Sequence, residues 1–191
     1  MPKEMGKPYW ASIPVGDNPP EIFNVIIEIP KGSRVKYEID KVSPSPLVKV
    51  DRILRFPGGY PANYGFIPST YDEDKDPIDV IILCDEPIQP LTLIVCKPIG
   101  LLITIDTGER DDKVLAVITT DPMYGGVTPE RLNLVYAERY EELKYFFEHY
   151  KEREPNRWIK VKGWESAENA KKKILHGIEL FKREFRGIRR F

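Results

Sequence analysis

The chain has 191 residues, with 29 basic and 30 acidic side chains and a formal net charge of −1, and its length predicts one domain over 1–191. A hydrophobic content of 41% beside a charged content of 31% excludes a disordered chain, and the balanced charge gives no overall attraction to nucleic acid or to an anionic membrane. The apolar runs are too short to cross a bilayer and the N-terminus lacks the apolar stretch of a signal peptide, so we expect a cytoplasmic protein.

Strands are predicted over the first two thirds of the chain. Residues 1–20 predict an irregular lead-in, because prolines are frequent there. Stretches rich in β-branched and apolar residues follow, separated by turns that contain Gly and Pro. They cover 24–29, 34–40, 48–56, 80–84, 92–96, 99–105 and 114–119. This spacing is typical of a barrel or a sandwich.

Helices are predicted near the C-terminus. Apolar residues recur at steps of three and four over 137–151 and again over 166–185. Ser166 is suited to the N-cap of the second helix. Strands followed by helices indicate an α+β fold. The basic C-terminal end, with Lys182, Arg183, Arg186, Arg189 and Arg190, predicts a solvated helix face and a frayed tail over 186–191 rather than an anion site.

The two cysteines favour core packing over a disulfide or a metal site. Cys84 and Cys96 each end an apolar run, where a reduced thiol behaves as a small hydrophobe. The two histidines, His149 and His176, do not have zinc-ligand spacing.

The first segment that suggests chemistry is 72–79, which holds four aspartates directly before an apolar strand. Four such charges repel one another unless cations neutralise them, and a hard divalent metal ion would do so. Asp74 and Asp76 are two residues apart, and Asp76 precedes a proline that favours extended backbone, so both carboxylates are expected on one side. Asp79 joins them if the turn breaks the strand alternation.

Two other interpretations of this segment remain open. One is an ordinary acidic surface turn. The other is a calcium loop, because Asp72, Asp74 and Asp76 have the spacing of EF-hand ligands. The second interpretation is disfavoured, since Pro77 stands where the loop needs glycine and Leu83 stands where it needs glutamate.

Three further charged positions suggest a functional site only when they are considered together. Segment 106–113 is a commonplace hairpin loop when taken alone. Lys36 and Glu38 share one face of the strand 34–40, which is usually a solvent face. Glu28 is a lone carboxylate inside an apolar strand, which indicates partial burial beside a partner or a metal. A small, dense anion bound with several metal ions would explain all three, because carboxylates hold metals while Lys and Arg hold phosphate oxygens.

The segments resemble the soluble inorganic pyrophosphatases from about residue 21 to residue 181. The signature Asp-x-Asp-Pro-x-Asp stands at 74–79. It is accompanied, in order, by Ile-Glu-Ile-Pro at 27–30, Lys-Tyr-Glu at 36–38, Val-Asp-Arg at 50–52, Tyr-Pro-Ala-Asn-Tyr-Gly at 60–65, Phe-Phe-Glu-His-Tyr-Lys at 146–151 and Val-Lys-Gly-Trp at 161–164. In this order the motifs are highly specific.

The resemblance implies a five-stranded, OB-like β-barrel with additional strands and two main C-terminal helices packed outside, and a site at the barrel mouth. It implies hydrolysis of pyrophosphate by direct attack of a water activated by several Mg²⁺ ions, with Asp76 as the general base. The implied metal ligands are Asp74, Asp79, Asp106, Asp111 and Glu38. The implied phosphate-binding residues are Lys36, Arg52, Tyr64, Lys113, Tyr150 and Lys151. Glu28, Tyr60 and Glu109 are expected to line or support the same site.

One position departs from the family pattern. Thr107 stands where many members carry a second acid, which would weaken an outer metal or a contact through water. The length resembles that of the short prokaryotic members, which implies a homo-oligomer, most simply a homohexamer.

Two other functions compete with this prediction. An OB-like barrel could bind single-stranded nucleic acid through its tyrosines and basic residues, but the carboxylates would repel a phosphate backbone, so neither nucleic acid nor a membrane is expected as a partner. A magnesium-dependent phosphatase for nucleotides or other phosphoesters would need a pocket for an organic group, and no nucleoside-binding signature is visible.

Overall fold

The structure, a computed structural model, describes residues 8–40, 45–126, 128–131 and 137–185. Most strands precede the two main helices there and one strand lies between them, so the predicted α+β class is confirmed. The strands are β1 (Phe23–Ile29), β2 (Val35–Ile39), β3 (Val48–Ile53), β4 (Asn63–Phe66), β5 (Asp79–Leu83), β6 (Leu93–Asp106), β7 (Glu109–Arg110), β8 (Lys113–Ile118) and β9 (Ile159–Ser166). The main helices are α1 (Ala137–His149) and α2 (Ala167–Glu184), and a 3-10 helix (Tyr9–Ser12) lies within the predicted lead-in.

Five strands form a closed ring. They pair in the order β1, β4, β5, β8, β6, and β6 pairs in turn with β1. β5 and β8 are parallel, whereas the other neighbours in the ring are antiparallel. β7 and β9 extend the sheet from β6, and β2 and β3 form a separate two-stranded ribbon. The predicted five-stranded, OB-like barrel with additional strands thus has its counterpart in a closed ring of five strands.

The ring strands are apolar on both faces, because alternate residues pack into two different clusters. Ile81 of β5 belongs to a cluster that includes Phe146 and Phe147 of α1. Its neighbour Ile82 belongs to a second cluster that includes Ile174 of α2. One face is therefore covered by α1 and the other by α2. Cys96 is buried in the second cluster, and both cysteines are free.

Several predicted boundaries were wrong. The strands predicted at 92–96 and 99–105 are one strand, β6, because the pairing with β8 shifts register between Pro98 and Gly100 and so accommodates a residue that has no N–H. The strand predicted at 48–56 ends at Ile53. No strand was predicted for β4 or β9, although both pair with ring strands.

The second predicted helix is confirmed as α2. Ser166 is its N-cap, and the Ser166 side chain accepts a hydrogen bond from the backbone N–H of Asn169. A buried stripe through Ala170, Ile174 and Ile178 faces the ring. No helix within the described ranges is both long and apolar enough to span a membrane. The predicted frayed tail, 186–191, lies outside the described residues.

Candidate active site

Charged residues stand where three ring strands begin or end. β5 begins at Asp79, β8 begins at Lys113 and β6 ends at Asp106. Because β5 and β8 are parallel, with Val80 beside Val114, the residues one position earlier, Asp79 and Lys113, lie side by side. We call the end of the ring that carries Asp79, Asp106, Asp111 and Lys113 the ring mouth.

Lys113 is the central cation of the ring mouth. Its Nζ lies 2.7 Å from Asp111 Oδ1 and 3.1 Å from Asp79 Oδ2, and the residue is only 2% exposed. Burial by itself would lower the pKa of Lys113, but the carboxylates of Asp111 and Asp79 reverse this effect and raise the pKa. Lys113 therefore stays charged and contacts two aspartates at once, Asp79 at the start of β5 and Asp111 in the connection between β7 and β8.

A second buried cation adjoins the first. Lys151, which follows α1, forms an ion pair with Asp106 Oδ2. Burial lowers the pKa of Lys151, and its hydrogen bond to Asp106 opposes that shift. Thr107, the departure from the family pattern, donates a hydrogen bond from its hydroxyl to Asp106 Oδ1 at 2.9 Å. In place of a second negative charge, Thr107 therefore provides a neutral donor that supports Asp106.

Three buried tyrosines lie against the ring mouth. The hydroxyl of Tyr64 donates to Asp79 Oδ2 at 2.5 Å, and its aromatic ring lies 5.6 Å from Lys113 Nζ. Tyr60 packs on Tyr64 and Tyr150, with centroid separations of 5.8 and 6.3 Å. Burial raises the pKa of all three phenols well above the usual value. All three phenols are therefore neutral O–H donors, and the single proton of Tyr64 is already donated to Asp79.

The β2–β3 ribbon supplies a second charged group, which we call the ribbon cluster. Lys36 and Arg52 are cross-strand partners, and Asp51 Oδ2 joins them, at 3.0 Å from Lys36 Nζ and 2.8 Å from Arg52 Nη2. Lys36 Nζ also lies 2.8 Å from Glu38 Oε1, and Arg52 Nη1 lies 3.7 Å from Glu154 Oε2. Both predicted cations of this ribbon are thus held in place by carboxylates.

The two charged groups share Tyr150. Burial contributes most to its raised pKa, the charges of Asp106 and Asp111 add to the shift, and Arg52 opposes it. An aspartate of the ring mouth and the arginine of the ribbon cluster therefore act on the same phenol. The ring mouth and the ribbon cluster therefore both lie within electrostatic range of Tyr150.

The acidic loop 72–79 leads into the ring mouth. It closes through hydrogen bonds from Asp72 N–H to the Asp76 carbonyl at 2.8 Å and from Asp76 N–H to Asp74 Oδ1 at 3.0 Å. Lys75 between them adopts a positive φ of 71°. The pKa of Asp74 is raised to about 6, first by loss of solvent and then by the charges of Asp79 and of other aspartates in the loop, against the lowering effect of the Asp76 N–H.

These carboxylates suit a hard divalent cation. The pKa of Asp111 is raised by burial and by the charges of Asp79 and Asp106, although Lys113 lowers it. A cation with oxygen ligands would relieve that crowding. Within the described part of the chain, no three acidic, His or Cys side chains are already grouped as ligands. Holding Mg²⁺ would therefore require side chains to rotate. Asp79 and Asp111, which contact Lys113, and the aspartates of the acidic loop can undergo such a rotation.

Two predicted residues occupy different surroundings. Glu28 is buried in β1, and its Oε1 accepts a hydrogen bond from Ile39 N–H of β2 at 2.9 Å, so it joins the ring to the ribbon. Glu109 is exposed on β7. Sequence reasoning missed Asp51 and Glu154 as partners of Arg52. Asp51 stands inside the Val-Asp-Arg motif at 50–52, which was the only signal for it.

Comparison with known proteins identifies relatives over nearly the whole chain. A family model described as inorganic pyrophosphatase matches residues 25–182. An inorganic pyrophosphatase of Aquifex pyrophilus is 43% identical over 177 residues, which cover 91% of this chain and 97% of that protein. Soluble inorganic pyrophosphatase 1 of Arabidopsis thaliana is 42% identical over 172 residues, which cover 90% of this chain and 79% of that protein.

Solved structures give the same result. The crystal structure of inorganic pyrophosphatase from Thermus thermophilus has a TM-score of 0.83 and 35% identity, and the match covers 91% of this chain and 98% of that chain. An inorganic pyrophosphatase structure from Coxiella burnetii has a TM-score of 0.81 and 40% identity, and the match covers 89% of this chain and all of that one.

Proposed function

Because the chain belongs to the inorganic pyrophosphatase family, it hydrolyses pyrophosphate to two phosphates, and we propose that the reaction takes place between the ring mouth and the ribbon cluster. The observation that carries this location is Lys113, a buried cation within hydrogen-bonding distance of both Asp79 and Asp111. Burying this many charges costs free energy, and such clusters of perturbed ionisable groups are typical of functional sites.

The anion would be held by the cations and phenols that line this space. Arg52 offers a planar pair of donors that suits two phosphate oxygens, whereas lysines act as point charges. The neutral tyrosines add hydrogen bonds without adding charge. We assign this binding role to Lys36, Arg52, Tyr64, Lys113, Tyr150 and Lys151, with Tyr60 packing behind the phenols.

Magnesium is the cofactor that we propose for this site. Asp74, Asp79, Asp106 and Asp111 would hold it, with Glu38 at the ribbon side. When bound, Mg²⁺ would lower the pKa of a water molecule and offset the charge of the phosphates. Glu28 and Glu109 would support the site from a greater distance.

Asp76 is the residue that we propose as the general base. It is exposed on the loop that enters the ring mouth, and its backbone is fixed by Asp72 and Asp74. An ordinary carboxylate suffices to accept a proton from a water whose pKa is lowered. The lysines and Arg52 would then stabilise the charge that develops on the departing phosphate.

A phosphate-release assay tests this function. Purified protein is given pyrophosphate, ATP or a phosphomonoester, each with and without Mg²⁺. We expect rapid release from pyrophosphate only with Mg²⁺, and little from the other two substrates. Preferential turnover of ATP or of the phosphomonoester would instead support the rival phosphoesterase, and salt-sensitive binding of single-stranded nucleic acid without turnover would support a binding module.

We also propose that the chain assembles as a homohexamer. The family resemblance suggests this state, and apolar side chains on the surface support self-association. Leu93 and Val95, two residues apart on β6, are 51% and 43% exposed. Val50 of β3 is also exposed.

Sedimentation velocity checks the assembly. The unmodified protein is expected to sediment as a hexamer, and Leu93→Asp is expected to shift it to smaller species, because a charge in an apolar interface is costly to bury. Leu175→Asp, an exposed leucine on α2, serves as the control. A monomeric unmodified protein would contradict the proposal.

Residues 1–191 are proposed to form one domain in the cytoplasm. Both cysteines are free, as expected of a reducing compartment. Pyrophosphate is the small-molecule substrate that we propose for this site, and neither nucleic acid nor a membrane is proposed as a partner.

A further inference from the structure

Helix α2 contacts the acidic loop at two successive turns. The carbonyl of Gly177 accepts a hydrogen bond from Tyr71 N–H at 3.0 Å. One turn earlier, Lys173 Nζ lies 2.6 Å from Asp72 Oδ2. Two neighbouring residues at the start of the loop, Tyr71 and Asp72, therefore contact the helix, the first through a backbone hydrogen bond and the second through an ion pair.

Close packing makes the first contact rigid. A Cβ on Gly177 would lie 2.3 Å from Ile78 Cδ1 and 3.2 Å from the carbonyl oxygen of Tyr71. A side chain at this position would force Ile78 or the helix to shift. Since Tyr71 and Ile78 stand at the two sides of the acidic loop, α2 presses against both of its ends.

The second contact leads to Asp76. Asp72 N–H donates to the Asp76 carbonyl at 2.8 Å, and the Asp72 carbonyl accepts from Lys75 N–H at 3.1 Å. The Asp72 side chain therefore forms an ion pair with Lys173, while the Asp72 backbone closes the turn that carries Asp76. A shift of Asp72 would move the Asp76 backbone with it.

This ion pair is better placed than most surface pairs. Exposed pairs contribute little to stability because solvent screens them. The side chains of Lys173 and Asp72 are only 14% and 16% exposed, and the distance between them is short. The pair also joins two elements that are 101 residues apart in the chain, so it limits how the loop can move relative to the ring.

We infer that Lys173 is a positioning residue, which acts through Asp72 to hold Asp76 at the ring mouth. This inference rests on the proposed function, because it takes Asp76 as the general base. Among the residues that the structure describes, the ion-pair partner of Lys173 is Asp72, which belongs to neither the ring mouth nor the ribbon cluster. Its loss should affect the chemical step more than the binding of pyrophosphate, since the phosphate-binding cations lie on other elements.

Three variants test the inference. Lys173→Met keeps the aliphatic stem and removes the charge, Lys173→Arg keeps the charge, and Lys172→Met is a matched control on an exposed neighbour in the same helix. Lys173→Met is expected to lower kcat roughly tenfold, because small misplacements of a reacting group are costly, and to change KM for pyrophosphate less than twofold. Lys173→Arg is expected to restore most of the rate, and Lys172→Met to leave both constants unchanged.

Amide hydrogen exchange gives a readout that does not depend on turnover. Peptides that cover 71–78 are expected to exchange faster in Lys173→Met and in Asp72→Asn than in the unmodified protein, whereas α2 and the ring strands keep their protection. In the double variant Lys173→Met/Asp72→Asn these peptides are expected to exchange no faster than in either single variant, because both substitutions remove the same contact. Unchanged loop exchange in Lys173→Met, or a changed KM at constant kcat, would overturn the inference. Absence of pyrophosphate hydrolysis in the unmodified protein would instead overturn the proposed function, and the exchange data would still judge the loop contact.

Discussion

Replacing Asp76 with asparagine is expected to lower kcat for pyrophosphate hydrolysis by roughly 100-fold or more, as loss of a general base commonly does. Asparagine keeps the size of the side chain and can occupy the same turn, because the hydrogen bonds that fix residue 76 use its backbone N–H and carbonyl. The fold should therefore be preserved while the proton acceptor is lost.

The measurement compares kcat and KM at saturating Mg²⁺ with those of Glu73→Gln. Glu73 is an exposed acid of the same loop that has no assigned role, so its variant controls for a general loss of negative charge. Glu73→Gln should stay close to the unmodified rate. An Asp76→Asn enzyme of nearly normal kcat would remove Asp76 from the proposed mechanism.

Most of the ring strands and the second helix could be predicted because their sequences carry clear local signals. β5 and β8 are short apolar runs bounded by turns, and α2 combines an N-cap at Ser166 with a stripe at helical spacing. Local chemistry and tertiary structure agree in these elements.

β4 could not be predicted, because its reason to exist is tertiary. Gly65 stands in the middle of this strand, where glycine usually weakens β-structure. A Cβ there would lie 2.1 Å from the carbonyl oxygen of Ile26. The residue is therefore required by the close approach of β1, at a place where the pairing shifts register between Ile27 and Ile29. No periodicity within the segment reports such an approach.

The sequence motifs name charged residues for the proposed site but do not give their pairings. Alternation along a strand places Asp51 and Arg52 on opposite faces. Asp51 nevertheless contacts both Lys36 and Arg52, because the β2–β3 pairing shifts register between Lys36 and Tyr37. Asp79 and Lys113 are neighbours only because β5 and β8 run parallel. Strand register depends on long-range packing, which motif spacing does not encode.

Replacing Lys113 with methionine is expected to reduce both activity and stability. Methionine keeps the apolar stem, but Asp79 and Asp111 lose the cation that they share in a buried place. Breaking a buried pair by removing one partner costs about 3–5 kcal/mol of unfolding free energy. Loss of a charge that stabilises the transition state should lower kcat by roughly 100-fold.

Thermal or urea unfolding with and without Mg²⁺ separates these two effects. Without Mg²⁺ the variant should be clearly less stable than Lys160→Met, which removes an exposed lysine of β9. Addition of Mg²⁺ should stabilise Lys113→Met more than it stabilises the unmodified protein, because the two carboxylates then bind the ion without competition from a lysine. Removing Asp111 as well, in Lys113→Met/Asp111→Asn, should recover part of the lost stability, since one uncompensated charge disappears. Equal stability of Lys113→Met and Lys160→Met without Mg²⁺ would mean that Lys113 does not hold the ring mouth together.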